Sequence, residues 1–151
     1  MGCDIHSCVE VRGADGIWSR TMVGFPNRFY ENKVTYEPFD WRSYGMFGFL
    51  ADVRNYSKVP TIVPERRDCP ADASPYVRER FETGCYHSVS WISLAELLEY
   101  DYDKTFVDMR EVPPETTTLR DFLGEYFFRD LSILNSLGDP KNIRIVFGFD
   151  S

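Results

Sequence analysis

The chain has 151 residues, 43% of them hydrophobic and 16% aromatic, which is ample material for one packed core and too apolar for a disordered segment. Its formal net charge of -7 repels the backbone of a long nucleic acid, so the anionic partner that remains is a small molecule gripped by a few converging arginines. The longest apolar run, residues 47–51, is far short of the roughly 20 residues that span a bilayer, and no membrane partner is expected.

From Asp4 to Arg12 apolar and polar residues alternate, the period-two signature of a strand with one buried face. Residues 13–16 read as a turn, and residues 17–23 as the returning strand of a hairpin. Residues 24–42 carry Pro26 and Pro38 and read as loop, with a short strand near residues 34–36. Tyr44, Phe47, Leu50 and Ala51 recur at helical spacing, predicting a helix over residues 43–53 with Ser43 as its cap. Prolines 60, 64 and 70 make residues 56–73 a long connection. Ser74-Pro75 then opens a helix through Thr83.

Residues 87–92 alternate again as a strand, and Ser93 and Glu96 form a capping box for a helix to about Tyr100. A strand is predicted over residues 105–112, ended by Pro113-Pro114. Thr118 caps one long helix reaching about Leu137, with a stripe of Leu119, Phe122, Leu123, Tyr126, Phe127 and Leu131. Residues 142–149 close the chain as a strand with Ile143, Ile145, Phe147 and Phe149 on one face. The expected class is α+β: one domain with an antiparallel or mixed sheet, both termini in it as strands, and three to four helices packed against it.

The only histidines are His6 and His87, each on an expected strand beside short polar residues. Two facing imidazoles act as acid and base on one phosphodiester, since a pKa near 6.5 lets each accept and donate a proton at neutral pH. Asp4 shares a strand face with His6 and is placed to orient it; the same residues also suit an ordinary polar sheet face, and their spacing demands no metal or other cofactor. Alternation sets Cys3 opposite His6, where a structural thiol is the better reading than a nucleophile. Arg54, Asn55, Arg66 and Arg67 form the densest basic region. Arg54 or Arg66 is the candidate grip on a phosphate, while Asn55 either reads a base edge or holds a turn. Ser88, Ser90 and Trp91 complete the candidate ligand set, with Trp91 stacking on a base or filling the core. The four cysteines show no zinc-type pairing and follow no secretion signal, so they read as reduced thiols of a cytoplasmic protein. The Gly2-Cys3 start invites lipidation, but the acylation pattern wants Ser or Thr where His6 stands.

The opening Met1-Gly2-Cys3-Asp4-Ile5-His6, the stretches Arg42 to Tyr44 and Leu50 to Tyr56, and His87-Ser88-Val89-Ser90-Trp91 resemble a family of small uncharacterised proteins of phages and prophages. Val89 stands where members often carry a further histidine, which weakens a metal site. The resemblance implies an accessory protein acting in a bacterial host, such as an inhibitor of bacterial immunity. Three readings stay open: a phosphodiesterase-like enzyme that cleaves a cyclic-nucleotide or ADP-ribose-type signal; a non-catalytic protein that sequesters it in a pocket at a homodimer interface; and an inhibitor that binds a host protein through the proline-rich connection.

Overall fold

The computed structural model describes residues 2–30 and 32–151; Met1, which opens the motif above, and Glu31, inside the expected loop, lie outside the described residues. In chain order the elements are β1 (Asp4–Arg12), β2 (Trp18–Arg20), β3 (Phe25–Pro26), β4 (Val34–Thr35), α1 (Tyr44–Ala51), α2 (Pro75–Thr83), β5 (His87–Ser93), α3 (Leu94–Glu99), β6 (Thr105–Asp108), β7 (Glu115–Thr118), α4 (Leu119–Leu123), α5 (Glu125–Asn135) and β8 (Ile143–Asp150). The fold is α+β. Its main sheet has the order β2-β1-β8-β5 with every pair antiparallel, and β1 and β8 match from Asp4 opposite Asp150 to Val11 opposite Ile143. Both termini are strands of the sheet, as the alternating patterns predict, and the pairing sets the two at its centre.

The two faces of this sheet bury different residues. Ile5 and Val9 of β1, Ile92 of β5 and the Ile143, Ile145, Phe147 and Phe149 row of β8 point into the larger core, which α1, α3 and α5 fill with Phe47, Phe49, Leu97, Phe127 and Leu134. On the other face Val77 and Phe81 of α2 cover Cys8 and Val146. Gly148 lies under this second layer, where a Cβ would come within 3.0 Å of Tyr86 and 3.1 Å of Val89.

Three expectations need correction. The single long helix is two, α4 and α5, because Gly124 between them adopts φ 82, a left-handed backbone that interrupts the helical ladder. This brings the described helices to five rather than three or four. The strand predicted to Val112 ends at Asp108, and the Thr-rich segment Glu115–Thr118 returns beside it as β7, so Thr118 both ends a strand and caps α4. Ser74 occupies the N-cap of α2 but makes no side-chain cap; its N–H donates to Glu10 Oε2 at 2.7 Å. The caps at Ser43 and Ser93 form as predicted. The long connection has no regular element, yet it is pinned: Ile62 N–H donates to Phe49 O at 2.9 Å and Thr61 Oγ1 to Gly48 O at 2.8 Å.

With both faces of β8 covered, Arg144 is only 3% exposed. Its guanidinium meets the fully buried Glu10 on β1, with Nε to Oε1 at 2.9 Å and Nη2 at 2.8 Å, while Nη1 reaches Asp72 at 2.9 Å. Trp18 lies beneath it, its ring centroid 3.9 Å away. Removing one member of such a pair strands the other charge away from water. Glu10→Ala is expected to lower stability in urea unfolding by about 3–5 kcal/mol, whereas Glu10→Leu combined with Arg144→Met recovers most of that loss.

Candidate functional site

The residues before α1 are held in an unusual backbone. Phe39 has φ 61, and its N–H donates to Oδ2 of the buried Asp130 on α5 at 2.8 Å, while its ring stacks on Phe127 with centroids 4.9 Å apart. Burial raises the carboxyl pKa of Asp130, opposed by the Phe39 N–H and by Arg129. This anchor turns the chain so that Trp41, Arg42 and Ser43 lead directly into α1, where Ser43 Oγ accepts the Met46 N–H at 3.2 Å. Gly45 lets α4 come close, since a Cβ there would lie 2.5 Å from the Phe122 ring.

The start of α1 opens onto a cleft of about 800 Å³ lined by Arg28, Arg42, Arg110, Tyr44, Ser57 and Asp108, among others. Tyr44 and Gly45 are in the first helical turn, whose N–H groups have no intrahelical acceptor and carry the positive end of the helix dipole. Arg42 donates to both oxygens of Asp4 at 2.9 Å, a bidentate fork that lowers the Asp4 pKa. Arg28 lies 4.9 Å from the Tyr126 ring centroid and 5.7 Å from that of Trp41, and Arg110 lies 5.9 Å from Tyr44 and 6.0 Å from Tyr56. Among the described residues, neither guanidinium meets a carboxylate or carbonyl acceptor, and aromatic rings are the neighbours both approach. The turn after α1 adds Arg54, at φ 50 and 5.4 Å from the Tyr44 ring.

The sequence candidates divide among several places. Asp4 belongs to the Arg42 fork, and Arg54 flanks Tyr44. Asn55 holds the turn: Nδ2 donates to Asp52 Oδ1 at 2.8 Å and Val59 O at 2.9 Å, and Oδ1 accepts the Val59 N–H. His6 pairs across the sheet with Gly148 and His87 with Phe149, one residue further along β8. Residues facing each other across antiparallel strands share a face, so the two imidazoles stand on opposite faces of β8. His6 Nε2 is 2.7 Å from Asp150 Oδ2, with the Tyr86 ring 4.9 Å away; His87 is bonded to Ser88 Oγ at 3.0 Å and Ser151 Oγ at 2.9 Å.

Arg66, His87 and Ser88 line a separate shallow notch of about 490 Å³, beside the bulge that gives Ser88 φ 55. Ser90 is buried and accepts the Arg67 N–H at 3.2 Å, and the Trp91 ring lies 4.5 Å from the Arg67 guanidinium. Cys3 is fully buried, and burial raises its thiol pKa against the influence of Arg54. Among the described residues no group of three His, Cys, Asp or Glu side chains is arranged to hold a metal, and no helix is long and apolar enough to cross a membrane.

Arg28, Arg42 and Arg110 escape the sequence reading because they come from three distant segments. The one signal is aromatic adjacency, in Arg28-Phe29-Tyr30 and Trp41-Arg42; Arg110 has none. Comparison with family models, with curated proteins and with solved structures finds no match to this chain.

Beside the notch, Arg67 grips Glu96 through two bonds of 2.7 and 2.6 Å, and this bonding is the main cause that brings the Glu96 pKa from 4.5 to about 2. The folded pKa is depressed, so the pair contributes stability above pH 4.5 that is lost as pH falls toward 2. Glu96→Gln is expected to remove that part of the acid-side dependence when thermal melts are compared between pH 6 and pH 3.

Proposed function

We propose that the protein captures a small anionic, nucleotide-like molecule in the cleft at the start of α1, its phosphate gripped by Arg28, Arg42 and Arg110 and its base laid against Tyr44 or Tyr56. The observation that carries this reading is the pair Arg28 and Arg110, whose planar forks of N–H donors border the cleft near aromatic rings and, among the described residues, form no ion pair, although Asp108 and Glu111 line the same cleft. Guanidiniums and a helix N-terminus converging on one concavity suit a phosphate even in a chain of net charge -7, because binding responds to the local field. The cleft volume falls in the range of roughly 300–1,000 Å³ that small-molecule ligands occupy.

Capture is favoured over two-histidine cleavage by the register of His6 and His87 on opposite faces of β8, since acid and base must reach one phosphodiester together. The phage resemblance extends the reading to an accessory protein that withdraws a bacterial nucleotide signal from its receptor.

The test is to incubate the protein with cyclic mono- and dinucleotides and with ADP-ribose, then separate free, bound and cleaved molecules by chromatography before and after heating. Intact ligand released only on heating is expected. Arg110→Met weakens retention about tenfold or more with an unchanged melting temperature, and alanine at His6 or His87 leaves it within about twofold. Cleaved product overturns capture, and retention that ignores Arg28 and Arg110 overturns the site.

A further inference from the structure

The floor of the same cleft carries a second chemistry. Asp108, at the end of β6, is 8% exposed and Ser57 is 3% exposed, and both line the cleft. They are held side by side by backbone bonds: Met109 N–H donates to Ser57 O at 3.1 Å, and Arg110 N–H donates to Asp108 Oδ1 at 3.0 Å. That single backbone N–H is the partner of the Asp108 carboxylate; among the described residues it forms no ion pair. A carboxylate this far from water, with one oxygen turned to the backbone, has acceptor capacity left for a donor arriving through the cleft.

Glu111 lines the same space as Arg28, Arg42 and Arg110, so the lining alone does not choose the donor. On the proposed reading the molecule is anchored as an anion on the arginines, and the donor it offers Asp108 is a neutral group attached to that anion. Ribose meets this requirement: its vicinal hydroxyls are neutral, donate in pairs and lie a short covalent distance from the 5′-phosphate. Ser57 lines the same cleft, and its hydroxyl, able to accept or donate, suits the second hydroxyl.

We infer that Asp108 and Ser57 are the specificity-determining residues of the cleft, accepting the vicinal diol of a ribonucleotide whose phosphates lie on the arginines. The inference rests on the proposed reading of the cleft and narrows it from nucleotide-like anions to those that keep both ribose hydroxyls. The loss of hydrogen bonds to a charged acceptor lowers affinity by roughly tenfold to a hundredfold.

The experiment compares adenosine 5′-diphosphate, its 2′,3′-dideoxy analogue and inorganic pyrophosphate by calorimetric titration of the wild-type protein and of Asp108→Asn, with thermal melts confirming folding. The wild type is expected to bind the ribonucleotide at least tenfold more tightly than the dideoxy analogue; Asp108→Asn narrows the difference to a few-fold while binding pyrophosphate at least as tightly as the wild type does. Equal wild-type affinity for the two nucleotides overturns the diol inference while leaving the anion site standing, whether or not the variant folds. Failure of all three probes to bind overturns the diol inference, and it overturns capture as well if the chromatographic test retains no cyclic nucleotide or ADP-ribose.

Discussion

Strand β8 is covered on both faces, and its buried charge, Arg144, has to be neutralised within the protein. Glu10 from β1 does this, fully buried, and Asp72 completes the set from the connection that precedes α2. A buried ion pair of this kind adds little net stability compared with apolar residues of the same volume, but it penalises every arrangement that parts the two charges. Because Glu10 and Arg144 face each other in the β1–β8 pairing, a slip of one residue would send them to opposite faces. The same carboxylate accepts the Ser74 N–H, so the register of the central strands and the start of α2 are tied to one group.

The cleft is a consequence of this arrangement at the opposite end of β1. Pairing Asp4 with Asp150 sets the first residues of β1 beside the start of α1, where Cys3 N–H donates to Tyr44 Oη at 3.2 Å and Asp4 receives Arg42. Asp130 supplies the second anchor by holding Phe39 in a left-handed conformation, and the chain then arrives at α1 with Ser43 as cap and Arg42 toward the opening. Arg28, Arg42 and Arg110 thus line one concavity together with Asp108 and Glu111. The β6–β7 hairpin closes the remaining wall, bringing Asp108 and Arg110 to the start of a helix formed far earlier in the chain.

Much of the framework was legible in the sequence because it rests on local patterns. Alternation in residues 4–12 and 143–149 set both terminal strands, and the Ser43 and Ser93 caps set two helix starts. The errors came where one residue answers to two signals. Gly124 sits within an unbroken apolar stripe, and the stripe hid the left-handed break; Thr118 is at once the last β-branched residue of β7 and the cap of α4. Of the candidate site, Arg54 and Asp4 lie at or beside the cleft, whereas Arg42, Arg28 and Arg110 carried no spacing that links them.

The sequence by itself determined the class of fold, the composition of the core face of β1 and β8, and the acidic balance of the chain, because these follow from periodicity and composition. Only the tertiary structure decided that His6 and His87 face opposite ways, that Asn55 is committed to its turn, and that three arginines share one cleft. Sheet order and register are pairings between segments far apart in the chain, and a residue's neighbours across a sheet leave no trace in its neighbours along the sequence.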